Sequence, residues 1–244
     1  MIWTVPRMWE GGDVWIIGGG PSMPKQFGIP DKVIQNVVSG TSPPSVYSPY
    51  MKFLHDKHVI GVNIAYKIGD WMDMVFFGDG GFFLEHIQEI SRFPGLRVSC
   101  NPTTESHPWV KTLARDLRHN KGITVNPRAV SWNHNSGAAA ISVAAHAGAS
   151  RIFLLGFDMC KINGDQHWHD LYGKKNSNKP KKEMHLPFDR HLMGFPYIAK
   201  DAAKMGIEII NVCPESAIKE FRKVSLKEVI RETRLQSIQE QSVY

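Results

Sequence analysis

The chain of 244 residues lacks the features that mark membrane, secreted and zinc-binding proteins. It has no run of about 18 apolar residues, so no membrane span is predicted, and residues 1–7 show no signal-peptide pattern. Its three cysteines, Cys100, Cys160 and Cys213, are odd in number and have no metal-ligand spacing, which argues against a disulfide framework and a zinc site. These absences predict a protein of a reducing compartment, the cytoplasm.

The composition is that of a globular protein with an excess of positive charge. Hydrophobic residues make up 42% of the chain, which is enough for a substantial core, and the net charge is +6. Much of the excess lies in one segment, which contains Lys174, Lys175, Lys179, Lys181 and Lys182. These lysines are either a solvated face or a clamp for the phosphates of a nucleotide or nucleic acid.

Short apolar runs alternate with amphipathic segments, which predicts βαβ units and a mainly parallel sheet. Strands are predicted at 14–17, 59–63, 74–77, 96–99, 123–125, 151–156 and 207–212. Helices are predicted at 31–38, 83–90, 108–117, 136–147 and 197–205. Residues 24–48 are predicted to form a lid near the first loop. We therefore expect one Rossmann-like α/β domain over 1–225, with helices on both faces and a long lid loop at about 160–190, and a helical tail at 226–244 that packs or oligomerises.

A buried strand followed by three glycines is the most informative stretch of the sequence. The segment after it, called the glycine turn below, consists of Gly18, Gly19, Gly20, Pro21 and Ser22. Glycine lets another group approach the backbone closely, so such a turn predicts a phosphate or nucleotide site; a tight structural turn is the alternative. The glycine turn is not a full dinucleotide fingerprint, because Met23 stands at the last glycine position, and no Walker lysine follows it.

Polar residues and glycines lie at the ends of several other predicted strands and before the predicted helix at 136–147. They are Asn63, residues 78–81 with Asp79, residues 133–137 with Asn135, Ser136 and Gly137, and Asp158. Because ligands bind at the carboxyl ends of parallel strands, we expect these residues to gather with the glycine turn at one sheet edge. Ser136 and Gly137 open a predicted helix whose N-terminus is a candidate anion site, with Ser136 as a plain N-cap as the alternative. Asp79 and Asp158 are candidates for a ribose or a divalent cation, and a turn aspartate is the alternative for both.

The predicted lid loop carries the candidate acid–base residues. His167 and His169 point the same way on an extended chain, which suits substrate contact, acid–base catalysis or metal binding, although no third ligand has matching spacing. His185 and His191 flank the return into the next helix, where a base would face the sheet edge. For each, an exposed loop histidine is the alternative.

Four pieces of the sequence together resemble a known superfamily. They are residues 16–22, 61–63, 135–158 and 211–221. The superfamily joins bacterial sialyltransferases of the Campylobacter type with MptE-like 6-hydroxymethylpterin pyrophosphokinases, and many uncharacterised phage proteins look similar. The resemblance spans about residues 13–225 and implies the same Rossmann-like fold.

The sialyltransferase likeness implies a glycosyltransferase that uses a nucleotide-activated donor and a hydroxyl acceptor, with no tightly bound cofactor. It implies that the glycine turn and Asn63 bind the donor nucleotide and that the start of the 136–147 helix contacts the donor sugar and phosphate. It also implies that Tyr172 reaches the donor phosphate. The general base would be a histidine ahead of the penultimate helix, His191 first and His185 second, and His169 is a third candidate.

Two departures from the sialyltransferase pattern leave the donor open. Gly19 stands where the family has asparagine, and Met159 stands where it has tyrosine. The pyrophosphokinase likeness implies instead ATP and Mg²⁺, with Asp79 or Asp158 as metal ligands. A third hypothesis is a non-catalytic protein that binds nucleotides or nucleic acid through the lysine-rich loop.

Overall fold

In a computed structural model of the chain, residues 1–172 and 187–241 are described, with side chains as far as residue 235. The strands are β1 Asp13–Ile17, β2 His58–Val62, β3 Met74–Phe77, β4 Leu96–Ser99, β5 Lys111–Thr112, β6 Ala114–Arg115, β7 Ala129–Val130, β8 Arg151–Leu155, β9 Glu208–Asn211 and β10 Arg222–Lys223. Eight of them form a parallel sheet in the order β10-β9-β8-β1-β2-β3-β4-β5, and β6 pairs with β7.

The helices are α1 Ser22–Gln26, α2 Asp31–Val38, α3 Gly80–Arg92, α4 Ser136–His146, α5 Phe188–Leu192, α6 Phe195–Lys204 and α7 Leu226–Gln241. Short 3-10 helices lie at Pro44–Leu54, Asn63–Ile68 and Pro102–Ser106. Within the described ranges, no helix is both long and apolar enough to cross a membrane.

The sheet carries a separate apolar layer on each face. In β1, Val14 and Ile16 belong to a core cluster that includes α4 and α6, whereas Trp15 and Ile17 belong to a cluster that includes α2, α3 and the start of α7. This division follows from the alternation of side chains along a strand. A strand buried on both faces must be apolar throughout, as residues 14–17 are, so the predicted Rossmann-like α/β fold is confirmed.

The strand order places a topological switch point between β1 and β8. Ile16 of β1 is in register with Ile60 of β2 on one side and with Leu154 of β8 on the other. The chain runs from β1 outward through β5 on one side and from β8 outward through β10 on the other. The loops after β1 and β8 therefore diverge and leave a crevice, the usual ligand site of such sheets.

The predicted helix at 108–117 and the predicted strand at 123–125 are wrong. Residues 111–112 pair with the edge of the sheet, Val98 with Lys111 and Ser99 with Thr112, and the chain then turns into β6. Leu117, which would complete the apolar face of the helix, is 89% exposed. The free edge of β4 offers backbone hydrogen bonds that outweigh a weak helical pattern.

The prediction of a lid at 24–48 is also wrong. The segment folds into the end of α1, all of α2 and the start of the first 3-10 helix, and Ile29, Val37 and Tyr47 are buried in the cluster of α2 and α3. Its apolar residues are sparse in sequence, but they meet on one side and cover the sheet.

The helix predicted from Leu226 begins where expected. Ser225 Oγ accepts a hydrogen bond from Glu228 N, and the Glu228 carboxylate accepts one from Ser225 N, which is a capping box. Leu226 and Val229 are buried against the domain. The domain boundary at 225 and any role of the tail in oligomerisation stay predictions.

Candidate functional site

A cavity of about 460 Å³ opens in the crevice between β1 and β8, and its volume suits a small-molecule ligand. The predicted residues that line it are Gly18, Gly19, Gly20, Asn63, Asp79, Asn135, Ser136, Gly137, Asp158, His169, Tyr172 and His191. Pro21 and Ser22 do not line this cavity. His185 and the five lysines of the basic segment lie outside the described residues.

The glycine turn packs directly on the loop after β8. A β-carbon at Gly20 would lie 1.8 Å from Asp158 Oδ2 and 2.6 Å from Gly156 O, so the position requires glycine. Gly20 N donates to Gly156 O at 2.8 Å, and Ser22 N donates to Asp158 Oδ2 at 3.2 Å. Cys213 Sγ donates to the other carboxylate oxygen of Asp158 at 2.6 Å. Asp158 therefore fixes the glycine turn, and its burial raises its pKa against the effect of these hydrogen bonds.

The glycine turn offers a ligand fewer backbone N–H groups than its sequence suggests. Gly18 N donates to Leu155 O at 2.8 Å, while Gly19 N has no acceptor among the described residues. The carbonyl side is covered, because Trp168 Nε1 donates to Gly18 O at 2.8 Å and Trp168 N to Gly19 O at 3.1 Å. A β-carbon at Gly19 would meet His167 Nδ1 at 3.2 Å, so the His167 ring occupies the space beside this glycine.

The N-terminus of α4 borders the cavity and is capped by Asn135. Its Oδ1 accepts from Gly137 N at 2.9 Å and from Ala138 N at 3.3 Å. The alternative that Ser136 is the N-cap is therefore wrong, and Ser136 is the first helical residue. A bound anion would meet the positive end of the helix dipole and the Ser136 hydroxyl, since Asn135 already occupies the next two N–H groups.

Asn63 and Asp79 follow adjacent strands of the sheet and differ in their hydrogen bonding. Asn63 has a left-handed backbone, with φ of 51°, and its buried Oδ1 has no hydrogen-bond partner. A buried acceptor without a donor costs free energy, so a ligand N–H or O–H at this point would stabilise the site. Asp79 caps α3 by accepting from Phe82 N at 3.0 Å, as the alternative of a turn aspartate requires.

His167 and His169 form an aromatic wall with Tyr172. The two imidazoles stack with centroids 5.4 Å apart and planes 8° apart, and the Tyr172 ring meets both edge-on at 5.1 and 4.7 Å. His169 is 5% exposed, so the alternative of an exposed loop histidine is wrong for it. Its Nδ1 accepts from Leu171 N at 3.2 Å, and burial, with smaller contributions from His167 and His86, lowers its pKa to about 3.

His191 lies in the last turn of α5, is half-buried and lines the cavity. Burial, followed by the charges of Arg190, His167 and His134, lowers its pKa to about 4. The imidazole is therefore neutral at neutral pH and has a nitrogen able to accept a proton.

Trp132 and Arg190 are among the lining residues that the sequence did not predict, whereas His134 lies within the run 133–137 that was expected at the sheet edge. Trp132 and His134 lie in the run Trp-Asn-His-Asn ahead of α4. Asparagine readily adopts left-handed backbone, so this run was the available signal of a special turn. In the part of the chain that the structure describes, no three histidine, cysteine, aspartate or glutamate side chains converge as a metal-binding group.

Comparison with known proteins identifies the fold. No protein-family model matches the chain, and no curated protein matches its sequence. The MAf glycosyltransferase of Magnetospirillum magneticum AMB-1 superposes with a TM-score of 0.54 at 10% identity, over 92% of this chain and 35% of that one. The monofunctional alpha-2,3-sialyltransferase Cst-I of Campylobacter jejuni superposes with a TM-score of 0.51 at 14% identity, over 88% of this chain and 80% of that one. The chain thus shares the fold of these two transferases, while the likeness to pterin pyrophosphokinases and phage proteins stays a prediction.

Proposed function

We propose that the chain is a glycosyltransferase that moves a sugar from a nucleotide-activated donor to an acceptor hydroxyl. The observation that carries this proposal is the convergence of the Gly19 N–H, the unpartnered Asn63 Oδ1 and the start of α4 on one cavity with a neutral histidine. The fold, shared with known glycosyltransferases, supports it at the level of architecture.

The cavity offers complementary partners for the parts of a nucleotide. The donor phosphate would lie between Gly19 N–H and the first turn of α4, where the helix dipole favours negative charge. Asn63 Oδ1 would accept from a ribose hydroxyl or a base amino group. Arg190 is exposed at the cavity and would add a charge-assisted hydrogen bond to the phosphate.

His191 is the proposed general base. The acceptor oxygen would attack the anomeric carbon while the bond from that carbon to the nucleotide phosphate breaks, and the acceptor proton would move to the His191 imidazole. The charge that develops on the leaving phosphate would be met by Gly19 N–H and α4. His169 is less suited to this role, because its Nδ1 already accepts a hydrogen bond from Leu171 N. His185 remains the second choice from the sequence.

The pyrophosphokinase hypothesis makes different demands on the carboxylates. It needs Asp79 or Asp158 to hold Mg²⁺, yet both oxygens of Asp158 and one oxygen of Asp79 already accept hydrogen bonds, from Ser22 N, Cys213 Sγ and Phe82 N. Glycosyl transfer is therefore the function to test first.

Nucleotide binding is the first experiment. Thermal shift and calorimetry with CMP, UDP, GDP and ATP, each with and without Mg²⁺, should reveal a bound nucleotide, and transfer from the matching nucleotide sugar should follow. Activity with ATP that EDTA abolishes, and that is lost in D79N or D158N, would favour the pyrophosphokinase instead. Binding that weakens steeply with salt and is accompanied by no turnover would favour the non-catalytic hypothesis.

His191→Ala tests the base. We expect turnover to fall by roughly 100-fold or more, while the nucleotide affinity stays within about twofold, because the base acts on the acceptor proton. His119→Ala is the matched control, since His119 is an exposed histidine that does not line the cavity. Full transfer activity in H191A would reject this residue as the base.

A further inference from the structure

The turn before α4 carries two consecutive left-handed residues that are not glycine. Asn133 and His134 both have φ of 53°. Such backbone costs free energy at each residue and persists only where the surrounding structure imposes it, most often at ligand-binding positions. A helix could be entered without this cost, because Asn135 alone supplies the N-cap of α4.

The side chain of Asn133 imposes this conformation. Asn133 is fully buried, and its Nδ2 donates to Gly122 O at 3.0 Å and to Ser131 O at 2.9 Å, while its Oδ1 accepts from Gly122 N at 2.7 Å. The two bonds to Gly122 tie the turn to a neighbouring loop, and the bond to Ser131 closes the turn on itself. The flanking side chains, Trp132 and His134, both line the cavity.

The indole of Trp132 is held as a fixed surface. The Arg115 guanidinium carbon lies 4.0 Å from the centre of the ring, and Arg115 itself is fixed by hydrogen bonds to Cys100 O, at 3.0 Å, and to Gly78 O. A β-carbon at Gly78 would lie 2.1 Å from the indole, so that glycine makes room for the edge of the ring. The ring therefore cannot turn away from the cavity without breaking this packing.

The neighbours of the turn locate it beside the proposed reaction centre. Residues 132–134 directly precede the first turn of α4, which is the proposed phosphate site. His134 and His191, the proposed base, both line this cavity. The part of a donor that lies between its phosphate and the base is the transferred sugar, whereas the nucleoside would extend toward Asn63.

We propose that the turn at 132–134 binds the transferred sugar of the donor, with Trp132 stacking on the apolar C–H face of a pyranose ring and His134 hydrogen bonding to one of its hydroxyls. This inference rests on the proposed function and goes beyond it, because it assigns the specificity for the transferred group to these two side chains. His134 has a nitrogen for this bond, since Nε2 lies 3.5 Å from Asn120 Nδ2 while Nδ1 has no hydrogen bond to another described residue. Asn133 is a positioning residue.

The test separates sugar binding from nucleotide binding. Calorimetry would compare CMP with CMP–sialic acid, UDP with UDP–glucose and UDP–N-acetylglucosamine, and GDP with GDP–mannose. For the pair that the wild-type chain binds, we expect Trp132→Leu to weaken the nucleotide sugar about 5- to 10-fold and the free nucleotide by less than twofold, from the strength of aromatic stacking. Trp132→Phe should lose less. Trp109→Leu is the matched control, because Trp109 also has an arginine over its ring, at 5.9 Å, but does not line the cavity.

Each outcome decides the proposal. If W132L weakens the binding of the free nucleotide and of the nucleotide sugar equally, the indole stacks on the nucleobase, and the inference is overturned. Unchanged affinity for both compounds would overturn it as well. If W132L does not fold, His134→Ala, at a partly exposed side chain, should still reduce only the sugar-dependent part of the affinity, and unchanged binding would overturn the inference. A wild-type chain that binds none of these compounds would contradict the proposed function itself, which is a separate result.

Discussion

Replacing Gly20 with alanine should destabilise the protein by about 2–6 kcal/mol. The new methyl group would lie 1.8 Å from Asp158 Oδ2 and 2.6 Å from Gly156 O, so the glycine turn must move away from the β8 loop. Overpacking of this kind costs about 1–3 kcal/mol. The movement would also break the bond from Ser22 N to the buried Asp158, which adds about 1–3 kcal/mol.

Urea unfolding at neutral pH measures the loss, and the melting temperature should fall by roughly 10 °C for a chain of this size. Gly19→Ala is the matched control one residue away, because its methyl group would meet a side chain, His167 Nδ1 at 3.2 Å, and no backbone atom within 4 Å. The G19A chain should stay within about 1 kcal/mol of the wild type. Equal stability of G20A and wild type would refute the close packing of the glycine turn on the β8 loop.

Two further predictions concern the cap of α4 and the buried histidines. Asn135→Ala should lower the free energy of unfolding by about 1 kcal/mol, because Gly137 N and Ala138 N lose their acceptor. Ser136→Ala should change it by less than about 0.5 kcal/mol. Urea titration of both variants measures the difference. His169 has a folded-state pKa of about 3, below its unfolded value, so the unfolded chain binds the extra proton and stability falls as the pH is lowered from about 6.5 toward 3. Between about pH 6.5 and pH 5 this one group should remove up to about 2 kcal/mol, and urea titrations of His169→Gln should show a correspondingly shallower pH dependence than wild type.

The parts of the fold that could be predicted are those where local sequence and tertiary position agree. The β3 and β4 strands begin and end at the predicted residues, because β3 is a short apolar run and β4 alternates apolar with polar residues. The prediction of a helix at 108–117 was wrong because the structure of this segment depends on pairing with the edge of β4, which no local sequence pattern reveals. The two residues of β10 were missed for the same reason, since they pair with β9 at the far edge of the sheet.

The site was predictable as a set of strand ends and less so as chemistry. Parallel strands bring their carboxyl ends together, so Gly19, Asn63 and Asp158 could be expected at one edge. Which N–H and carboxylate groups remain available depends on contacts between distant parts of the chain, such as those from Ser22 and Cys213 to Asp158. Trp132 was not predicted because its orientation depends on Arg115 of β6 and on Gly78, which follows β3.

The central position of β1 bears on the order in which the chain can assemble during synthesis. The glycine turn is made early, yet the hydrogen bond from Ser22 to Asp158 spans 136 residues, and that from Gly20 reaches Gly156. Until β8 has emerged from the ribosome, β1 can pair only with β2. Half of the crevice is therefore missing until more than half of the polypeptide has emerged. The growing chain would therefore acquire the proposed ligand binding late, and a truncated product that ends before β8 would carry the complete glycine turn without the other half of the crevice.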